Sequence, residues 1–207
     1  MTDLLESRDV VAPEGLPEAA ESMHPFAALG LAPELVRAVQ DLGFEQPTAV
    51  QSRAIPLALP TAKAHDATQA EGPQAFSDLM VSSQTGSGKT AAFLLPVLHT
   101  LLQQQARAER DAREAFQRAC DEAAARGEAA PKRPKRKNPT DPRNFKPAQP
   151  GALVLCPTRE LAQQVANDAI DLVRHCKGLR VAHVVGGMPY AVQIARLQNA
   201  DLVVATP

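Results

Sequence analysis

The chain has 207 residues, enough for one good-sized hydrophobic core, and 44% of them are apolar, an ordinary share for a globular domain. Its 22 Lys and Arg nearly balance 23 Asp and Glu, so the formal charge of -1 excludes a uniformly basic nucleic-acid coat while leaving room for segments of either sign. Cys120, Cys156 and Cys176 show no C-x-x-C spacing and His24, His65, His99, His175 and His183 no ligand spacing, so neither a disulfide framework nor a metal site built only of protein ligands is expected. The thiols read as those of a cytoplasmic protein. No stretch approaches the ~18 apolar residues of a membrane span, and Met1 to Glu6 lacks a basic segment followed by an apolar run, so no membrane association is expected.

Residues 1–22 are rich in Glu, Asp, Pro and Ala without periodicity, a composition expected to stay disordered as an acidic tail. From Pro33 to Gly43 apolar residues recur at helical spacing, with Pro at the opening and Gly at the close, which predicts a short amphipathic helix. A second helix is predicted from Thr48 to about Leu59, and residues 61–74 read as a polar surface loop. Asp78-Leu79-Met80-Val81-Ser82 reads as a buried strand that runs into Ser83-Gln84-Thr85-Gly86-Ser87-Gly88-Lys89-Thr90, with a helix from Lys89 onward. Strand, glycine loop and helix in that order are the context required for binding phosphate.

Glycines let backbone N–H groups turn inward around phosphate oxygens, the following helix offers its positive N-terminal end, Lys89 reaches the outer phosphates and the Thr90 hydroxyl ligates Mg²⁺. The general pattern begins with Gly, and this sequence has Ser83 there. Gly86 to Ala91 also matches G-x-G-x-x-A, the dinucleotide fingerprint, but the acid that fold needs some 20 residues on would be Asp111, inside a charged helical stretch.

That stretch interrupts the rhythm from about residue 101 to 150 and reads as an insertion. Its first half carries Glu109/Arg113, Glu114/Arg118 and Arg118/Glu122 at i,i+4, the pattern of an exposed, charge-laced helix. Its second half, Pro131 to Pro139, is basic and broken by proline, and Lys132 to Lys137 serve either as added nonspecific nucleic-acid affinity or as a solvating linker. Beyond it, Gly151 to Cys156, Leu179 to Val185 and Asp201 to Ala205 are apolar strands, with helices from about Arg159 to His175 and from Tyr190 to Gln198 between them. Strands apolar on both faces and alternating with helices predict an α/β fold, a parallel sheet with helices on both faces.

Three further segments carry chemistry. Phe44 and Gln51 offer an aromatic face and a carboxamide that can pair with adenine N6 and N7, although Thr48-Ala49-Val50-Gln51 is equally a capping box. Pro157-Thr158-Arg159 lies where a strand ends and a helix begins, so N–H groups and a guanidinium can meet a phosphate; the alternative is Thr158 as a cap and Arg159 paired with an acid. Gly186-Gly187 is either a turn or a place of close backbone approach.

Phe26, the Phe44 to Gln51 stretch, Ser83 to Thr90, Pro157-Thr158-Arg159-Glu160-Leu161-Ala162, Gly186-Gly187 and Thr206-Pro207 occur in the order seen in DEAD-box RNA helicases of bacterial type. The chain resembles the first RecA-like, P-loop NTPase domain of such an enzyme, with residues 23–52 as its Q-motif region and 53–207 as the start of its ATP-binding domain. The resemblance implies that Gln51 reads adenine, Phe44 stacks on it and Phe26 supports the pocket, which selects ATP. It also implies that Pro157, Thr158, Arg159, Gly187 and Thr206 meet an RNA backbone with little sequence preference. In the family the next segments are Gly-Arg, an Asp-Glu-Ala-Asp motif that holds Mg²⁺ and orients water, and a second RecA-like domain whose arginine fingers contribute about 10³ to 10⁵ in rate. The chain is accordingly expected to be a fragment, an incomplete fold that binds ATP without efficient turnover.

Overall fold

The computed structural model describes residues 23–59, 78–129, 131–132 and 149–207, so the acidic tail, the polar loop and most of the basic segment lie outside the described residues. Five α-helices and three strands are described: α1 (Pro33–Asp41), α2 (Ala49–Ala58), α3 (Lys89–Ala125), β1 (Ala152–Leu155), α4 (Arg159–Leu172), β2 (Val181–Val184), α5 (Tyr190–Leu197) and β3 (Leu202–Ala205). A single 3-10 turn, Ala27–Leu29, precedes α1.

The three apolar runs form one parallel sheet in the order β1-β3-β2. Its register pairs Ala152 and Val181 with Leu202 on either side of β3. Parallel strands require crossovers, and α4 and α5 supply them. Alternation then sorts the side chains. Leu202 and Val204, with Ala152, Val154 and Val181, face the main core, where α1, α3 and α4 contribute Leu35, Val39, Leu94, Leu95, Leu98, Ala162, Ala166 and Ala169. Val203 and Ala182 face the other way, with Leu197 of α5 against them. Among the described residues that second face is left open over β1, and Leu153 and Leu155 are 59% and 62% exposed.

Asp78–Ser82 departs from the expected strand. Among the described residues it pairs with nothing, since β1 bonds only to β3, and Met80 is 98% exposed. An extended segment gains a strand's stability only from a neighbour that takes its N–H and C=O groups and covers its side chains, and neither is supplied here. The charged helix is found as expected, as an unbroken continuation of the helix that begins at Lys89. It carries a Glu109–Arg113 pair at 3.7 Å, exposed and so of little energetic weight. The predicted helix from Arg159 ends at Leu172, and residues 173–175 form a turn.

Two tethers bind α1 to the core. Ala32, the residue before α1, donates its N–H to His99 Nδ1 of α3 at 3.0 Å, and Asp41 at the helix end accepts from His175 Nε2 at 2.6 Å. Burial holds the His99 imidazole below its ordinary value of 6.5, and accepting from Ala32 requires it neutral. Because the folded-state value is depressed, the contribution of His99 is present above the unfolded value and is lost as pH falls through the folded one. The melting temperature should therefore decline as pH falls below about 6.5. A His99→Leu variant should lose part of that decline; an identical pH profile for both chains would refute the assignment.

Candidate functional site

The glycine loop is shaped by its two flexible residues. Gly86 and Gly88 have φ of 80° and 84°, the left-handed region in which a side chain is strained. Gly88 is the residue preceding α3, and no side chain caps that helix, so its first-turn N–H groups face outward at the positive end of the helix dipole.

The loop is docked on α2. Thr48 donates its hydroxyl to the Ser87 carbonyl at 2.9 Å and Gln51 donates Nε2 to the Gly88 carbonyl at 3.1 Å. The same two residues complete the capping box, with Thr48 N–H donating to Gln51 Oε1 and Gln51 N–H to Thr48 Oγ1. Of the two sequence readings of this segment the cap is the one made here, and the Gln51 amide is bonded in addition to the loop carbonyl. Gln51 is 4% exposed and keeps one N–H and one oxygen lone pair beyond these bonds. A Cβ at Gly88 would lie 2.5 Å from Gln51 Nε2, so close docking requires glycine there twice over. Phe44, 38% exposed, sits beside the fully buried Phe26 with ring centroids 6.5 Å apart.

Lys89 is folded back on the loop, its ammonium donating to the carbonyls of Ser83 at 2.7 Å and of Gln84. Those carbonyl partners have no signature in sequence. Over Gly86 there is open space, and the buried Ser87 Oγ has no hydrogen-bond partner among the described residues. Uncapped N–H groups, an orphaned hydroxyl, an adjacent ammonium and Thr90 on the first turn of α3 fit a polyphosphate with its Mg²⁺, provided Lys89 exchanges its loop carbonyls for phosphate oxygen.

A concavity of about 900 Å³ opens beside the loop, with Lys89 and Thr90 at one side and Cys156 and Leu161 at another. Leu57, Leu79, Val81, Phe93, Leu153 and Leu155 make it an apolar trough, suited to protein side chains rather than to a triphosphate.

The second group of residues gathers where the parallel strands end. Pro157, Thr158 and Arg159 follow β1, Gly186 and Gly187 follow β2, and Thr206 follows β3, with its N–H donated to Val184 O at 3.2 Å. The carboxyl edge of a parallel sheet is where α/β folds place ligands. Thr158 does cap α4, accepting from Leu161 N–H at 3.2 Å. Arg159 has no carboxylate partner among the described residues and is exposed, its guanidinium lying across Gly186 and Gly187. Cys156 and Cys176 are not nucleophiles in waiting: burial raises both thiols, Cys176 to about 11 with help from Glu34.

The family model described as DEAD/DEAH box helicase matches residues 48–207. Among curated relatives, the ATP-dependent RNA helicase dbp9 of Sclerotinia sclerotiorum is 34% identical over 98% of this chain and 25% of its own length. SrmB of Haemophilus influenzae is 34% identical over 90% of this chain and 30% of its length, and DeaD of Escherichia coli 33% over 91% and 21%. The chain therefore spans between about a fifth and a third of these relatives. Among solved structures, Saccharomyces cerevisiae Dbp5 bound to RNA and ADP BeF3 aligns with a TM-score of 0.53 at 27% identity, over 89% of this chain and 32% of that one. A DEAD box protein from Methanococcus jannaschii aligns with a TM-score of 0.54 at 27% identity, over 88% and 34%. The RecA-like fold, the loop docked on Thr48 and Gln51, and the match over residues 48–207 agree: this chain belongs to the DEAD/DEAH box helicase family.

Proposed function

We propose that this chain is the ATP-binding and RNA-gripping part of an ATP-dependent RNA helicase that unwinds or remodels RNA duplexes. The observation that carries the reading is the pair of hydrogen bonds from Thr48 and Gln51 to the carbonyls of Ser87 and Gly88, which joins an adenine-side segment to the phosphate loop. Gln51 reads adenine with its remaining donor and acceptor while Phe44 supplies an apolar face. Ser83 to Gly88 present N–H groups to the phosphates, Lys89 neutralises the outer ones, and Thr90 supplies the hydroxyl for Mg²⁺. Bound Mg²⁺ would offset charge between phosphate oxygens.

Pro157, Thr158, Arg159, Gly187 and Thr206 form the RNA-facing edge, which reads backbone rather than bases. A second RecA-like domain is the partner that would close on this edge, and the cytoplasm is the compartment that suits three free thiols. These 207 residues contain no Asp-Glu-Ala-Asp sequence. The nearest resemblance, Asp121-Glu122-Ala123-Ala124, stands near the far end of α3, roughly 50 Å from Lys89 at about 1.5 Å per residue.

Three outcomes are expected. Gln51→Ala should reduce the preference for ATP over GTP about tenfold, and Lys89→Ala should weaken both nucleotides, as measured by competition against a fluorescent ATP analogue; an unchanged preference in the first variant would remove the adenine role. Arg159→Ala should weaken binding of a labelled single-stranded oligouridylate and lower its salt slope by about 0.7, the value for one phosphate contact. Robust RNA-stimulated ATP hydrolysis by the 207-residue chain alone would sink the expectation that it binds without efficient turnover.

A further inference from the structure

The loop that leaves β2 is held in an unusual way. Gln193, on the first turns of α5, donates its Nε2 to the carbonyl of Val185 at 3.3 Å and to that of Met188 at 2.8 Å. A single half-buried amide thus pins both ends of the loop, and the two residues between them, Gly186 and Gly187, are left exposed with bare backbone. No sequence motif drew attention to Gln193.

What the bare backbone is for follows from its neighbour. Gly187 has φ of 87°, which by itself favours glycine. Gly186 is not in the left-handed region, so its backbone would accept any residue. The reason for glycine at 186 is steric: a Cβ there would lie 2.9 Å from Arg159 Nη2, 3.3 Å from Cζ and 3.5 Å from Nε, and one at Gly187 would lie 3.0 Å from Nη1. The guanidinium rests across both glycines, on peptide groups instead of against an acid. A long side chain that would otherwise spread over many rotamers is confined to one outward-facing place at the carboxyl edge of the sheet.

We infer that Gln193 is a positioning residue for RNA binding: it fixes the Val185–Met188 loop so that Gly186 and Gly187 form a seat for the Arg159 guanidinium. The inference rests on the proposed role of Arg159 at an RNA phosphate and adds to it a residue that touches no RNA itself. Removing the Gln193 amide frees the loop ends, the seat shifts, and Arg159 must be ordered again at the moment of binding.

The test is a double-mutant cycle on the 207-residue chain, read as fluorescence anisotropy of a labelled single-stranded oligouridylate. Gln193→Met keeps the side-chain length and removes the donor, and should weaken binding about fivefold. Arg159→Ala should weaken it at least as much, and Gln193→Met should cost nothing further in the Arg159→Ala background. Gly186→Ala, which removes no hydrogen bond and displaces the guanidinium from the other side, should show the same coupling and carries the test if Gln193→Met folds poorly. Binding of a fluorescent ATP analogue should be unchanged in both seat variants. Normal RNA binding by Gln193→Met and Gly186→Ala, with Arg159→Ala impaired, overturns the positioning role and leaves the RNA reading intact. Additive losses also overturn it, and a neutral Arg159→Ala overturns both.

Discussion

Gly88 is where three demands on this chain meet. It must take a left-handed φ of 84° to bring the loop round, it must begin α3, and it must lie under the Gln51 amide, where even a methyl group would collide at 2.5 Å. The bonds made by Thr48 and Gln51 then lock the carbonyls of Ser87 and Gly88, so that the peptide N–H groups on the opposite side of the turn are aimed away from the protein. Everything proposed for nucleotide binding depends on this one docking. The capping box stiffens α2 and simultaneously turns α2 into a support for a loop about 40 residues further along the chain.

The two regions proposed to face ligands are built from different physics. The phosphate loop uses strained glycine backbone and a helix terminus, and its ammonium is satisfied internally by Ser83 and Gln84. The sheet edge uses topology: three parallel strands end side by side, and the residues that follow each are brought together without local sequence proximity. In the proposed nucleotide complex Lys89 would trade these loop carbonyls for phosphate oxygen, whereas the edge is preassembled by β1, β2 and β3.

Sequence made the local features legible. The apolar runs found β1, β2 and β3 to within about two residues, and proline at the start of α1 and the Thr48 cap marked two helix beginnings. It also allows cap and adenine ligand as compatible roles for Gln51, and the amide has enough donors and acceptors for the cap, the loop contact and one further pair. What it missed was non-local. Leu79 and Val81 have strand-like composition, but pairing depends on an edge that composition cannot supply. His99 gave no signal because its partner is a backbone N–H 67 residues away, and Gln193 gave none because its partners are carbonyls. The separation of Pro157 to Arg159 from Gly186-Gly187 in sequence likewise hid that the guanidinium lies on the glycines.

One more consequence lies in the length of α3. Its 37 residues run from Lys89 in the phosphate loop to Ala125 without a break, a rod of about 55 Å at about 1.5 Å per residue. Its first turns are buried and most of its outer residues, Ala123 apart, are exposed, so among the described residues it is held chiefly at the phosphate-loop end. A tilt of about 5° over that length sweeps the tip through roughly 5 Å. The helix whose N-terminus is proposed to meet the nucleotide is thereby also a pointer, and a label placed near Ala125 would report on the loop from a distance.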